Sequence, residues 1–182
     1  MGRCAGRRTW PSSSSAAVAD ALVGIGSNIE PERWLPYAAR KFLARFRRLL
    51  FSHLYRSPAV GMDAPPFVNA CVRILDAPPL DALKAELRAW EAEAGRNEAM
   101  RGFRPRTLDL DVLAYDGEML GSDLKRYAHA WLPARDVWPE MAIPPPSLAG
   151  VERIAPWPGW PVAGALRRST IPAVPRGGEE AR

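Results

Sequence analysis

The segment Leu108-Asp-Leu-Asp-Val112 constrains the fold of this 182-residue chain more than any other. Apolar and acidic residues alternate over five positions, the period of a strand with one face buried. Leu108, Leu110 and Val112 point toward a core. Asp109 and Asp111 point together to the opposite side, about 7 Å apart along the strand. A sheet that carries this strand needs cover on one face and an open cleft on the other. Two carboxylates on one face repel each other unless a cation lies between them. Hard oxygen donors suit Mg²⁺, which takes one or two carboxylates and completes its shell with substrate phosphates. The preceding turn, Arg101-Gly-Phe-Arg-Pro-Arg106, is strongly basic and is stiffened by Pro105. Acids for a metal beside arginines for an anion are the equipment of phosphoryl transfer. The plain alternative is a solvated acidic pair at a strand end.

Spacing orders the rest of the chain. Ala21 to Ser27 reads as a buried strand ending in a tight Gly turn. Asn28 to Leu50 reads as a helix, with Trp34, Leu35, Ala38, Phe42, Leu43 and Phe46 at helical intervals and Pro31 in the first turn. Phe51 to Ser57 is a second strand, Pro58 to Pro66 a loop, and Phe67 to Leu75 a third strand. Pro79 to Ala94 is a second helix, with Leu80, Leu83, Leu87 and Trp90 on its inner face and Gly95 as its stop. A polar loop from Arg96 to Arg104 leads into the fourth strand, Arg106 to Tyr115. The order β-α-β-β-α-β predicts an α+β, ferredoxin-like sandwich with its helices on one sheet face. The other face is left for loops and ligand. Beyond Tyr115 the chain is rich in Pro and Trp, and its elements cannot be placed from spacing.

Composition narrows the function classes. A net charge of +5 favours an anionic ligand. No apolar run approaches a membrane span. Cys4 and Cys71 have neither metal nor redox spacing, and Cys71 sits in an apolar strand. Gly24-x-Gly26 lacks the remainder of a dinucleotide fingerprint, and there is no Walker A loop. An RNA-binding sheet is conceivable, since Arg101-Gly-Phe103 begins like its signature string. Pro105 and the two acids argue against it, because carboxylates repel a phosphate backbone. The expected organisation is one domain over residues 21–165, flanked by disordered tails at 1–20 and 166–182. The first tail is Arg- and Ser-rich, like a transit peptide. The expectation is a cytoplasmic monomer acting on small molecules, with neither nucleic acid nor membrane as partner.

Four blocks, in order, carry a family resemblance. They are Gly24-Ile-Gly-Ser-Asn28; Tyr55-Arg-Ser-Pro-Ala-Val-Gly61 leading to Phe67-Val-Asn69; Glu91-x-x-x-Gly95-Arg96; and Arg104-Pro-Arg-Thr-Leu-Asp-Leu-Asp-Val-Leu113. A weaker fifth is His129 followed by Arg135. Together they resemble the 6-hydroxymethyl-7,8-dihydropterin pyrophosphokinases of folate biosynthesis. The resemblance implies an ATP-dependent diphosphokinase that moves pyrophosphate to the hydroxymethyl group of a reduced pterin and releases AMP. It implies two Mg²⁺ ions on Asp109 and Asp111. Arg96 and Arg106 would complete the catalytic set and grip the phosphates. Ser57, Pro58, Val60, Asn69 and a ring pair, Phe67 and Phe103, would hold the pterin. Val112, His129 and Arg135, with the two arginines, would contact ATP. The chain departs from the family pattern at Glu98, Gly102, Phe103, Arg104, Ala128 and Val137. These departures leave open a paralogue acting on another reduced pterin, of methanopterin type, and a catalytically inactive pterin-binding protein.

Overall fold

A computed structural model of the chain describes residues 19–61, 63–95 and 106–168. The frame runs β1 (Ala19–Ser27), α1 (Pro31–Arg45), β2 (Arg48–Phe51), β3 (Leu54–Ser57), β4 (Phe67–Ala77), α2 (Leu80–Glu93) and β5 (Asp109–Tyr115). Then follow β6 (Glu118–Met119), α3 (Asp123–Arg126), α4 (Ala128–Val137), β7 (Glu152–Ile154) and β8 (Arg167–Arg168). The sheet order is β6-β5-β1-β4-β2-β8, with β3 also on β4 and β7 on β3. The pairings are antiparallel. The frame strands therefore lie fourth, first, third, second across the sheet, the ferredoxin-like α+β arrangement. The described strands reach from Ala19 to Arg168. No helix among the described residues is long and apolar enough to cross a membrane.

Both frame helices cover one sheet face. Leu35, Ala38, Ala39 and Phe42 of α1 and Leu83, Leu87 and Trp90 of α2 meet Val23, Ile25, Leu108 and Leu110 there. The rings of Phe42 and Trp90 pack edge to face at 5.1 Å. Gly95 stops α2 as its position predicts, with φ +88° and its N–H on the Ala92 carbonyl. The opposite face carries a smaller cluster. Leu22, Cys71 and Leu113 are covered by Ala130, Ala134 and Val137 of α4, an added helix from the region that spacing left unplaced.

Two boundaries differ from expectation. The first helix ends at Arg45, not Leu50, because Phe46 is extended (φ −115°, ψ 148°). The Asp76 carboxylate accepts the N–H groups of Arg47 and Arg48 at 3.2 and 3.3 Å. Leu49 and Phe51 then bury themselves with strand alternation. The expected strand Phe51 to Ser57 is two short strands. They break at Ser52, whose hydroxyl accepts the Cys71 N–H at 2.8 Å and donates to the His53 carbonyl at 2.6 Å.

Candidate active site

Asp109 and Asp111 sit in β5 opposite Gly26 and Gly24 of β1. Cross-strand partners point to the same side. The two glycines therefore leave a strip without side chains beside the two carboxylates. A Cβ on Gly26 would come within 3.5 Å of Asn69 Oδ1, 3.7 Å of Phe67 and 3.9 Å of Asp109 Cβ, so this glycine floors the point where all three meet. That strip opens into a cavity of about 230 Å³. Leu108 and Leu110, on the other face of the strand, are buried as the alternation predicts.

One wall is electrostatic. Arg106 donates to Asp109, its neighbour three residues on. Its backbone is held as well. Asn28 Oδ1 accepts the Arg106 N–H at 2.6 Å, and the Arg106 carbonyl accepts the N–H groups of Asn28 and Ile29 at 3.0 and 3.2 Å. Asn28 also donates from Nδ2 to the Pro65 carbonyl at 3.1 Å, linking this corner to the loop before β4. Glu91 does similar work from α2. It is buried, and its carboxylate accepts the Leu110 N–H, between the two aspartates, at 2.8 Å. Neither Asn28 nor Glu91 was singled out for a role from the sequence, although both lie within the blocks that carry the resemblance. An Asn following a strand-ending Gly turn, and a buried Glu on a helix face that otherwise reads Leu and Trp, were the available signals.

The other wall sets an aromatic ring beside buried polar groups. Phe67 opens β4, and Asn69, two residues on, faces the same side. Asn69 Nδ2 donates to Ser57 Oγ at 3.0 Å, and both residues are buried. Pro58 and Val60 continue the rim, Val60 being exposed.

A third wall comes from α4 and the turn before it. His129 lines the cavity and stacks on Tyr127, with centroids 5.1 Å apart and 14° between planes. Burial lowers the His129 pKa below the usual imidazole value, opposed in part by the charge of Asp123. The ring is therefore neutral at neutral pH and can donate one hydrogen bond without carrying charge. Tyr127 and Asp123 are cavity residues that the sequence reading did not name.

The structure thus gathers Ser57, Pro58, Val60, Phe67, Asn69, Arg106, Asp109, Asp111 and His129 around one cavity. Val112 lies apart from them. It lines a second cavity, of about 580 Å³, between α2 and β5, with Lys84, Arg88 and Glu91. Asp111 borders both cavities. Arg135 lines neither; it is exposed on α4. Val137, at the position expected to be a contact near the pterin mouth, is buried in the cluster beneath α4 instead. Arg96 and Phe103, with Glu98, Gly102 and Arg104, lie outside the described residues.

Among the described residues no group of three or more His, Cys, Asp and Glu could enclose a metal. A pair of carboxylates on an open floor fits Mg²⁺, which leaves most of its shell to phosphates and water.

The family model for 7,8-dihydro-6-hydroxymethylpterin-pyrophosphokinase matches residues 22–152. The chain is 37% identical over 136 residues to a 2-amino-4-hydroxy-6-hydroxymethyldihydropteridine pyrophosphokinase of Pseudomonas aeruginosa, covering 67% of this chain and 82% of that protein. A protein of the same name from Haemophilus influenzae is 32% identical over 114 residues, 60% of this chain and 70% of that one. A mitochondrial folate synthesis bifunctional protein of Pisum sativum is 29% identical over 113 residues, 60% of this chain and 22% of that protein.

Proposed function

The chain belongs to the 7,8-dihydro-6-hydroxymethylpterin-pyrophosphokinase family, and on that premise we propose how its two cavities divide the work. The reaction transfers pyrophosphate from ATP to the hydroxymethyl group of a reduced pterin in folate synthesis. The pterin lies in the first cavity with one ring face on Phe67, and Phe103 is assigned to the other face. Asn69 and Ser57 hydrogen-bond its polar edge, and Pro58 and Val60 close the rim. A flat heterocycle needs this combination of stacking and a few fixed polar groups. The nucleoside of ATP lies in the second cavity against Val112. Its phosphates cross Asp111 into the first.

That crossing carries the proposal: Asp111 borders both cavities, and Asp109, Arg106 and His129 stand just beyond it. Asp109 and Asp111 are the residues that would hold Mg²⁺, and we assign two ions to them. Bound there, the metal supplies charge neutralisation for the phosphate oxygens. Arg106 presents a planar fork whose direction is set at one end by Asn28 and at the other by Asp109. A guanidinium held in this way loses little freedom when it grips two phosphate oxygens. Arg96 is assigned the second grip. His129 donates to a phosphate oxygen. Arg135, exposed on α4, has no part in this assignment. The pterin hydroxyl loses its proton to solvent, its oxygen bonds to the β-phosphorus, and the bond from that phosphorus to the oxygen bridging to the α-phosphate breaks, so that this oxygen leaves on AMP. Little covalent help from protein groups is required, and positioning dominates. The catalytic unit is assigned to residues 21–165, acting as a monomer in the cytoplasm.

The test is AMP formation from ATP, Mg²⁺ and 6-hydroxymethyl-7,8-dihydropterin, stopped by chelation and restored by added Mg²⁺. Faster turnover of a reduced pterin with another substituent at position 6 would replace this substrate. Binding of pterin without any AMP would replace the enzyme by a binding protein.

A further inference from the structure

Outside the cavity, one carboxylate gathers three hydrogen bonds from a single stretch of chain. Asp136, in the last turn of α4, accepts the backbone N–H of His53 and the ring Nδ1–H of the same residue, both at 2.9 Å. It also accepts the Tyr55 hydroxyl, at 3.0 and 3.1 Å to its two oxygens. Burial, reinforced by the Asp136 charge, pushes the Tyr55 pKa well up, so the phenol keeps its proton and remains a donor. His53 stands in the break between β2 and β3, Tyr55 is the second residue of β3, and β3 ends at Ser57 on the cavity wall.

The helix needs such a fixing point. The buried side chains it sets against the sheet, Ala130, Ala134 and Val137, are small and grip weakly; Trp131 is partly buried beside them, and Arg73 of β4 donates to the Val137 carbonyl at 3.4 Å. Pro133 sits inside the helix and has no N–H to give to the carbonyl of His129 four residues before it. The turn that carries His129 is thus tied less firmly to its own helix, and its place over the cavity depends on where the helix body is held.

We propose that Asp136 is a positioning residue: by clasping His53 and Tyr55 it sets the height at which α4 holds His129 over the cavity. The inference rests on the reading of His129 given above. It concerns His129 and not the ring-binding wall, because Ser57 is fixed independently by its pairing with Phe67 in the sheet.

The experiment is a double-mutant cycle of Asp136→Ala and His129→Ala, with kcat and KM for ATP and for 6-hydroxymethyl-7,8-dihydropterin, and thermal unfolding of each variant. Asp136→Ala lowers kcat by about tenfold, the scale of a small misplacement of a phosphate contact, and leaves the pterin KM within about twofold. In the His129→Ala background the same change costs no more than about twofold, because the group it positions is gone. Asp136→Asn, which keeps the shape and can re-pair by amide and imidazole rotation, retains most of the rate. If Asp136→Ala folds poorly, the pair His53→Ala with Tyr55→Phe removes both side-chain donors and gives the same split. Losses that are additive across the cycle, or a pterin KM that rises together with the fall in kcat, overturn the proposal and leave the function intact. A His129→Ala enzyme with wild-type kinetics overturns the reading of His129 and this inference with it.

Discussion

On the α1–α2 face of the sheet, Leu108 and Leu110 are 0% and 5% exposed among the core side chains. On the opposite face, one residue along the same strand in each case, Asp109 and Asp111 line a cavity. Around Leu108 the first face is dry, aromatic and closed, and side-chain volume decides its stability; it opens at the edge, where the second cavity lies between α2 and β5. The second is only partly covered, by α4 and the segments beside it, and charge decides its behaviour. A single strand with period two serves both, which separates folding from chemistry at adjacent positions. Substitutions in the closed part of the first face, away from the second cavity, should therefore move unfolding, and substitutions on the other face should move turnover.

The largest expected effect tests that separation directly. Asp109→Ala or Asp111→Ala should lower kcat by about a thousandfold or more, since charge neutralisation at transferring phosphates depends on the groups that hold the metal. Circular dichroism and the urea midpoint should stay close to wild type. A variant that keeps its turnover at saturating Mg²⁺ would break the assignment of the polar face. Next in size is the mirror experiment on the dry face. Leu108→Ala should destabilise the fold by about 2–5 kcal/mol, the range for truncating a fully buried leucine. Its activity per folded molecule, measured well below the unfolding transition, should remain near wild type. If Leu108→Ala instead loses activity without losing stability, the two faces are not independent.

Within the polar face the proposed function divides the cavity, with ring-binding on one side and phosphate-binding on the other. Phe67→Ala should weaken pterin binding by about 1–3 kcal/mol, the cost of losing one aromatic stacking partner. ATP affinity should change far less. Calorimetric titration of each ligand separately reads both numbers. Equal losses would mean that Phe67 supports the opening of β4 and does not stack on the ligand.

Much of the dry face was legible in the sequence, and much less of the polar one. The α1 and α2 stripes are long side chains at helical spacing, and burial of long side chains is what periodicity detects. Pro31 and Gly95 marked a start and a stop with mechanisms attached. The end of α1 was misread because Phe46 follows Phe42 by four residues and so continues the helical stripe. The structure uses Phe46 as an extended residue that packs beside Trp90 at 6.4 Å. On the polar face the Asp109–Asp111 pair was legible because strand alternation makes it explicit. The cover was not. In α4 the stripe Ala130, Ala134 and Val137 is small, and Pro133 interrupts it, so hydrophobic spacing gives a weak signal. The Asp116-Gly117 turn between β5 and β6, with φ 46° and 83°, was a readable hairpin signal that the irregular surroundings masked. Asp136 could not have been found at all, because its partners lie 81 and 83 residues away in sequence.

The smallest effect concerns His129 and separates buried from merely nearby. Its pKa is lowered chiefly by burial, so in the folded protein the ring loses its proton at a lower pH than in the unfolded chain. Between the lowered value and the ordinary value of about 6.5, the unfolded state binds more protons, and the folded state loses stability as pH falls. Above that window the contribution is constant. The slope from one such proton cannot exceed about 1.4 kcal/mol per pH unit. The rest of the protein adds its own pH dependence, so the test is a difference. His129→Gln, which keeps a polar side chain but cannot titrate, should show a shallower loss of stability on acidification from pH 7.5 to 5.5 in urea unfolding. ATP should act in the opposite direction. Phosphate oxygens beside the ring favour its protonated form, so nucleotide binding should draw a proton onto His129 and strengthen as pH falls through the same window. Calorimetry in buffers of different ionisation enthalpy would record that uptake in the wild type and its loss in His129→Gln. Identical proton uptake in the two proteins would place the ATP phosphates away from α4. The polar face would then be left with its charges on β5 alone.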